Sequence, residues 1–208
     1  MANVDSAFGL KPYEGLSPSG AIPQARKYLI NPSGYGSNIY QGDLVKFNGG
    51  YIEQAGVSDA NIVGVFNGVH YQGSDGPVWS NFYTASTTAS SGDIEVYIYD
   101  DPNTLFTIQG DSDTASTQAA VGRNADTVGT GGSTTTGLSS RELDVSTLAT
   151  TAGLQLKVVG VVDNENNGTI AGTHANLIVQ INEHAYKGPV AGTSVSYTHL
   201  RAHETIRH

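Results

Sequence analysis

DIEVYIY, residues 93–99, alternates apolar side chains with Glu95, Tyr97 and Tyr99. Successive side chains of a strand point to opposite faces, so this spacing predicts a strand with one buried face and one wetter face. Residues 61–66 read NIVGVF, a short apolar run typical of a strand buried on both faces. Both patterns favour a β protein.

A β-hairpin is predicted around NGG at residues 48–50, which separates LVKF at 44–47 from YIE at 51–53. Asn-Gly between such runs is a strong hairpin signal. DDPN at residues 100–103 has the composition of a turn. Further strands are predicted at residues 26–30, 104–109, 156–162 and 176–182.

The composition supports the same fold class. Only 14% of the 208 residues are charged, and strand and turn formers outnumber helix formers. The sequence contains no cysteine, which excludes disulfides and thiolate metal sites. It also has neither the basic start of a signal peptide nor an apolar run long enough to span a membrane. We therefore expect a mainly β fold, either a small β-barrel or a β-sandwich.

The domain organisation is predicted from proline, glycine and serine usage. Residues 1–25, with three prolines and spaced apolar side chains, are expected to form an extended N-terminal arm, not an internal strand. Residues 26–190 are expected to form one β domain. Within it, residues 110–153 are a Gly/Ser/Thr-rich insertion with short helical turns, and SSRE at 139–142 resembles a helix start.

Residues 195–208 are interpreted as an artefact tail. Residues 195–205 match the translation of a transposon sequencing adapter. A segment of that origin is not expected to contribute to the fold. Without the tail, 8 basic and 18 acidic residues leave a net charge of −10. A charge of this sign repels nucleic acid and anionic lipid, so neither is expected as a partner.

The sequence matches known metal-binding and phosphate-binding motifs only weakly. DNENNG at residues 163–168 resembles the first half of a calcium loop, but its twelfth position is His174 where the motif needs a glutamate, so a plain turn is favoured. A glycine-rich run at 129–137 lacks the lysine of a phosphate-binding loop. A cation could also be bound by acidic residues from two regions: Asp100, Asp101, Asp111 and Asp113.

Two of the residues Glu53, Glu95 and Glu165 could form an acid–base pair for catalysis. Positions on solvated strand faces are the better explanation for these glutamates. We assign no catalytic, cofactor-binding or metal-binding residue, and no cofactor.

The candidate contacts for assembly lie in the arm, where spaced apolar side chains would lie on the protein's own body or on a neighbour. They are Phe8, Leu10, Tyr13, Leu16 and Ile22. Tyrosines are also common at subunit interfaces. Six of them crowd the first half of the chain: Tyr28, Tyr35, Tyr40, Tyr51, Tyr71 and Tyr83.

Several short motifs resemble those of structural proteins encoded in tailed-phage head modules. They are AFGLKPY at 7–13, GDLVK at 42–46 with IVGV at 62–65, YDDPN at 99–103, VGRNAD at 121–126 and LIVQINEH at 177–184. The first is similar to the PFGLRP start of those proteins, and together the matches cover most of residues 5–190. The resemblance implies a capsid decoration or head-associated protein of a marine phage, with no catalytic motif.

We therefore expect a non-enzymatic virion protein that binds and stabilises the capsid exterior, made and assembled in the host cytoplasm. Its partners would be the major capsid protein and copies of itself, as a homotrimer or another homo-oligomer. Deleting residues 1–25 is expected to abolish shell binding and leave the β domain folded. The alternative is a tail- or fibre-associated glycan-binding module using Trp79 near Tyr71 and Tyr83, and a third possibility is a polysaccharide-degrading enzyme.

Overall fold

A computed structural model describes residues 3–16, 20–21, 24–112, 118–162 and 172–188. In these ranges the protein is mainly β, as predicted. The strands are β1 Lys11–Gly15, β2 Arg26–Ile30, β3 Ile39–Tyr40, β4 Leu44–Asn48, β5 Tyr51–Gln54, β6 Ile62–Gly73, β7 Gly76–Ser80, β8 Phe82–Tyr83, β9 Ser91–Tyr99, β10 Thr104–Gln109, β11 Asn124–Ala125, β12 Thr127–Val128, β13 Glu142–Leu143, β14 Leu156–Val161 and β15 Asn176–Ile181. Two short 3₁₀ helices span Gln118–Ala120 and Val145–Thr147.

The first large sheet has six strands. Its order is β2-β9-β6-β4-β5, and β7 pairs with β6. The predicted hairpin is confirmed: β4 and β5 pair with Asn48 opposite Tyr51. Gly49 and Gly50 between them have φ angles of +58° and +87°. A two-residue turn with positive φ at both positions matches the twist of the flanking strands, and glycine adopts it at little cost.

The six-stranded sheet curls around its own core. Edge strand β2 comes close to β5 at the opposite edge, and the rings of Tyr28 on β2 and Phe47 on β4 lie 5.7 Å apart, edge to face. No hydrogen-bonded pairing joins these two edges in the described part of the chain, so the sheet does not close into a barrel. The core inside the curl contains Ile30, Ile39, Val45, Ile52, Val63, Phe66, Val69, Tyr83, Ile94, Val96 and Ile98.

The second large sheet has the order β1-β10-β15-β14-β11 and packs against the first. The last two predicted strands are present as β14 and β15, which are antiparallel neighbours. Between the sheets lies a second core, to which Phe106, Leu177 and Val179 contribute from one sheet and Leu44 and Val65 from the other. The architecture is therefore sandwich-like.

Strand β6 joins the two cores. Ile62 and Val65 belong to the core between the sheets, whereas Val63 and Phe66 belong to the core inside the curl. The short apolar run in the sequence is thus buried on both faces, as predicted.

In the described part of the insertion, residues 110–112 and 118–153, short strands and two 3₁₀ helices are joined by loops, and the helix start predicted at 139–142 is wrong. Glu142–Leu143 forms β13, which pairs with β12. The 3₁₀ helix begins later, at Val145, where the side chain of Asp144 accepts a hydrogen bond from the Ser146 backbone N–H. In the described part of the chain no helix is long and apolar enough to cross a membrane.

Candidate interaction surface

The N-terminal segment lies on the protein's own body. Strand β1 is extended and pairs with β10, so that Lys11 is opposite Thr107. The Leu10 backbone N–H donates to the carbonyl oxygen of Gly42 over 2.9 Å. Gly9 has a φ of +71°, and a Cβ at this position would lie 2.7 Å from the same carbonyl oxygen. Glycine is therefore required for this close approach of two chain segments.

The predicted assembly contacts take different positions. Leu10 is 2% exposed and belongs to the core between the sheets, so it is a core residue and is not accessible to a neighbour. Phe8 is half-buried. Tyr13 and Leu16 are 45% and 53% exposed and remain accessible to a partner. Ile22 lies outside the described residues.

An open groove of about 510 Å³ runs beside β1. Phe8, Pro12 and Tyr13 line one side, while Leu138 of the insertion and Val162 contribute apolar surface from elsewhere in the chain. We call this the arm groove. It places apolar side chains of the N-terminal segment and the insertion on one surface.

The outer edge of β1 adjoins the arm groove. In the described ranges, β1 pairs with β10 alone. The free edge carries exposed Lys11 and Glu14, together with Pro12, residues that discourage indiscriminate strand pairing. An edge of this kind can still accept a strand from a specific partner.

The tyrosines predicted at interfaces pack mainly within the protein itself. Tyr40 and Tyr83 are buried, and the Tyr83 hydroxyl donates to the carbonyl oxygens of Tyr35 and Thr87. The other four of that group are half-buried. Tyr40 and Tyr83 therefore serve packing in the β body, and a role of the other four at an interface stays a prediction.

A buried charged network fastens the insertion to the six-stranded sheet. Asp43 and Arg141 are both 0% exposed, and the Arg141 Nε lies 3.9 Å from the Asp43 Oδ1. The Arg141 guanidinium donates to the Ala55 carbonyl oxygen at 2.5 Å and to the Thr127 hydroxyl at 2.7 Å. Asp43 accepts a hydrogen bond of 2.6 Å from the Ser139 hydroxyl.

Burial raises the pKa of Asp43 and lowers the pKa of Arg141, while the opposite charge of each partner counters these shifts. Both side chains are completely enclosed, so a substrate cannot reach them. The network therefore has the character of a structural link. Sequence analysis did not identify it, since no spacing in the sequence links Asp43 to Arg141.

An aromatic stack lies on the outside of the six-stranded sheet. Trp79 is 67% exposed, and its ring lies 4.1 Å from that of His70 and 5.7 Å from that of Tyr97, both in stacked orientations. An open depression of about 430 Å³ beside Trp79 is also lined by Asn67 and Ser80. The neighbours expected from the sequence were different: Tyr83 is buried in the core, and β6 places Tyr71 opposite Val78.

The carboxylates considered for acid–base chemistry do not converge. Glu53 pairs with Lys46 at 3.3 Å, and Glu95 pairs with Lys27 at 2.8 Å. Glu165 lies outside the described residues. The two glutamates are therefore neutralised separately on the surface.

The acidic residues considered for a cation are also separated. Asp100 precedes β10 and accepts a hydrogen bond from the Tyr28 hydroxyl, whereas Asp111 follows β10 at its other end. Asp113 and residues 163–168 lie outside the described ranges. A different group does come together: Asp5, Glu142 and His174. No spacing in the sequence indicates it.

Comparisons with protein families, curated proteins and solved structures find no match for this chain.

Proposed function

We propose that this protein is a non-enzymatic structural component of a tailed-phage virion that binds the outside of the capsid. The observation that carries the proposal is the arm groove beside the free edge of β1, which exposed Tyr13 lines, with exposed Leu16 just after the same strand. Apolar side chains beside an unpaired strand edge are suited to a partner that adds a strand or a loop.

Symmetry would make modest contacts sufficient. A decoration protein binds many identical sites on a shell, and linked contacts raise the overall affinity without new chemistry in any one of them. Copies of the chain, as a trimer or another homo-oligomer, and the major capsid protein are the proposed partners. The short head-module motifs support this assignment.

The charge favours the outer surface of the shell. The chain carries a net charge of −9, or −10 without its last fourteen residues, and packaged DNA would repel it. Two sets of charged groups support a structural role, because Asp43 and Arg141 are enclosed together and Glu53 and Glu95 are each neutralised by a lysine.

The test is binding to shells assembled from the major capsid protein of the phage that encodes this chain. Replacing Tyr13 and Leu16 with serine should lower occupancy about tenfold or more, since a few anchor residues dominate interfaces. Val57→Ser, which changes a residue with 41% exposure outside the arm groove, is the matched control and should bind as the parent does. Equal occupancy for all three proteins would refute the proposal.

Point substitutions are preferable to deletion of residues 1–25. Leu10 is part of the core, so removing the segment would destabilise the body as well as any interface.

The stack around Trp79 favours a second candidate, a glycan-binding module of a tail or fibre. Sugar rings stack on exposed aromatic faces through their apolar C–H surfaces, and Asn67 and Ser80 offer polar groups for hydroxyls. Trp79 is the sole tryptophan, so its fluorescence reports on this surface alone. Saturable changes in that fluorescence with host surface oligosaccharides, together with loss of binding in Trp79→Ala, would favour this candidate.

A further inference from the structure

Three segments that are distant in sequence meet near the start of β15. Asp5 comes from the N-terminal segment, Glu142 from β13, and His174 from the loop before β15. One donor atom from each side chain lies within 4.8 Å of the other two. The His174 Nδ1 is 3.9 Å from the Asp5 Oδ1 and 3.9 Å from the Glu142 Oε1.

The buried side-chain amide of Gln109 positions two of the three segments that form this group. The Gln109 side chain is almost fully enclosed, and its Nε2 donates to the carbonyl oxygens of Val4 at 2.9 Å and His174 at 3.2 Å. Its Oε1 accepts a hydrogen bond of 2.8 Å from the Ser6 backbone N–H. The residues on both sides of Asp5 are therefore fixed relative to His174.

Backbone hydrogen bonds position the third segment, which carries Glu142. The Asp111 backbone N–H donates to the Leu143 carbonyl oxygen at 3.0 Å, next to Glu142. The His174 backbone N–H donates to the Asp111 carbonyl oxygen at 3.4 Å. Glu142 and His174 thus lie on two segments tied to the same residue, so the group is organised by the fold.

Two of the donor atoms are buried without a hydrogen bond. In the described part of the chain, neither the Glu142 Oε1 nor the His174 Nδ1 has a hydrogen-bond partner. Buried polar atoms rarely remain unsatisfied, and each such atom points to a missing interaction. Their separation of 3.9 Å is too long for a hydrogen bond.

That separation suits two ligands of one ion. Zinc binds histidine nitrogen and carboxylate oxygen at about 2.0–2.2 Å, which places ligand atoms roughly 3–4 Å from each other. Two carboxylates, those of Asp5 and Glu142, also meet beside His174, so negative charge accumulates here. A cation would relieve this repulsion.

We propose that Asp5, Glu142 and His174 bind a divalent first-row transition-metal ion, with Zn²⁺ as the ion that fits best. An imidazole nitrogen with two carboxylates suits Zn²⁺, whereas Ca²⁺ and Mg²⁺ prefer oxygen ligands throughout. Three protein ligands leave a position for water or for a donor from a partner. The bound ion fastens the N-terminal segment beside the arm groove, and this inference does not depend on the proposed function.

The experiment is calorimetric titration of the full chain with Zn²⁺. Every protein compared carries H199Q, H203Q and H208Q, because these histidines would otherwise bind metal. The parent should bind one equivalent, and E142Q and H174Q should each weaken binding at least about tenfold, the lower end of the losses typical of altered metal sites. H70Q, which changes a histidine that pairs with Glu95 and lies outside the group, is the matched control and should bind normally.

D5N keeps the test decisive if the other variants fold poorly. The Asp5 side chain is 72% exposed, so its substitution should leave the fold intact, as checked by circular dichroism, and still weaken Zn²⁺ binding. Absence of saturable Zn²⁺ binding by the parent, or unchanged affinity in D5N, E142Q and H174Q, would overturn the proposal. Tighter binding of Ca²⁺ than of Zn²⁺ would overturn the assignment of the ion.

Discussion

At the scale of single residues, the enclosed pair of Asp43 and Arg141 decides how the insertion is held. Removing two charges from water is costly, and the cost is offset here by hydrogen bonds to Ala55, Thr127 and Ser139. These bonds join a long, glycine-rich segment to the six-stranded sheet. The insertion is therefore an integral part of the body.

Replacing Arg141 with methionine should destabilise the protein by about 3–5 kcal/mol, because Asp43 would remain buried without a compensating charge. The free energy of unfolding in urea measures this effect. Lys27→Ala is the matched control: the Lys27 side chain is 57% exposed and its partner Glu95 is 27% exposed, so the change should be small. Similar losses in both variants would contradict a special role for Arg141.

His184 should make stability depend on pH. Its side chain is buried, and its Nδ1 accepts a hydrogen bond of 3.1 Å from the Tyr186 backbone N–H, which requires that nitrogen to be unprotonated. Burial lowers the pKa of His184, while Asp100 and Asp101 oppose that shift and Lys187 adds to it. The folded state thus binds its proton less readily than the unfolded state, whose histidine has a pKa of about 6.5.

The stability contributed by neutral His184 is therefore full above about pH 6.5 and is lost as the pH falls towards the lowered folded pKa. We expect the urea midpoint to fall between pH 7.5 and pH 5.5, and His184→Gln to reduce that fall. His70→Gln changes a side chain with 28% exposure and serves as the control. An unchanged pH dependence in His184→Gln would count against this explanation.

At the scale of elements, the N-terminal segment is divided between the core and the surface. Strand β1 completes one edge of the five-stranded sheet, and Leu10 just before it fills the core between the sheets. Tyr13 and Leu16 nevertheless remain exposed. One short segment therefore contributes to the body and also carries accessible apolar side chains.

Leu10→Ala should lower the free energy of unfolding by about 2–5 kcal/mol, the range for buried leucines that leave a cavity. Leu16→Ala removes the same atoms from a side chain that is 53% exposed, so its effect should stay within about 0.5 kcal/mol. Chemical denaturation of both variants measures the difference. Equal, small effects would mean that the segment is a detachable arm.

At the scale of the whole molecule, the two cores share strands and should unfold together. Strands β4 and β6 place side chains in both cores, for example Leu44 in one and Val45 in the other. Loss of either core would expose the shared strands to water. Cooperative, two-state unfolding follows from this sharing.

Trp79 fluorescence and far-ultraviolet circular dichroism should therefore give coincident unfolding curves. Trp79 lies in the six-stranded sheet, yet Val158→Ala, in the core between the sheets, should move its transition to lower denaturant. Val159→Ala, at a position that is 40% exposed in the same strand, is the control and should not. Two separate transitions would show that the cores are independent.

The sequence by itself determined the β class and most of the long strands. Alternation at residues 93–99 and the glycine turn at 49–50 are local signals, because strand geometry and positive φ depend on adjacent residues. The spacing of apolar residues in the first segment also predicted Tyr13 and Leu16 as assembly contacts; both are exposed, and their role in assembly stays a prediction.

Only the tertiary structure decided which strands share a sheet and which side chains meet. The turn after Tyr99 carries the chain from one sheet to the other, and Leu10 enters a core instead of facing a neighbour. Asp43 meets Arg141, and Asp5 meets Glu142 and His174, across long stretches of chain. Such contacts depend on how the sheets pack. Because this packing arises from the burial of all strands together, the spacing of residues along the chain does not predict it.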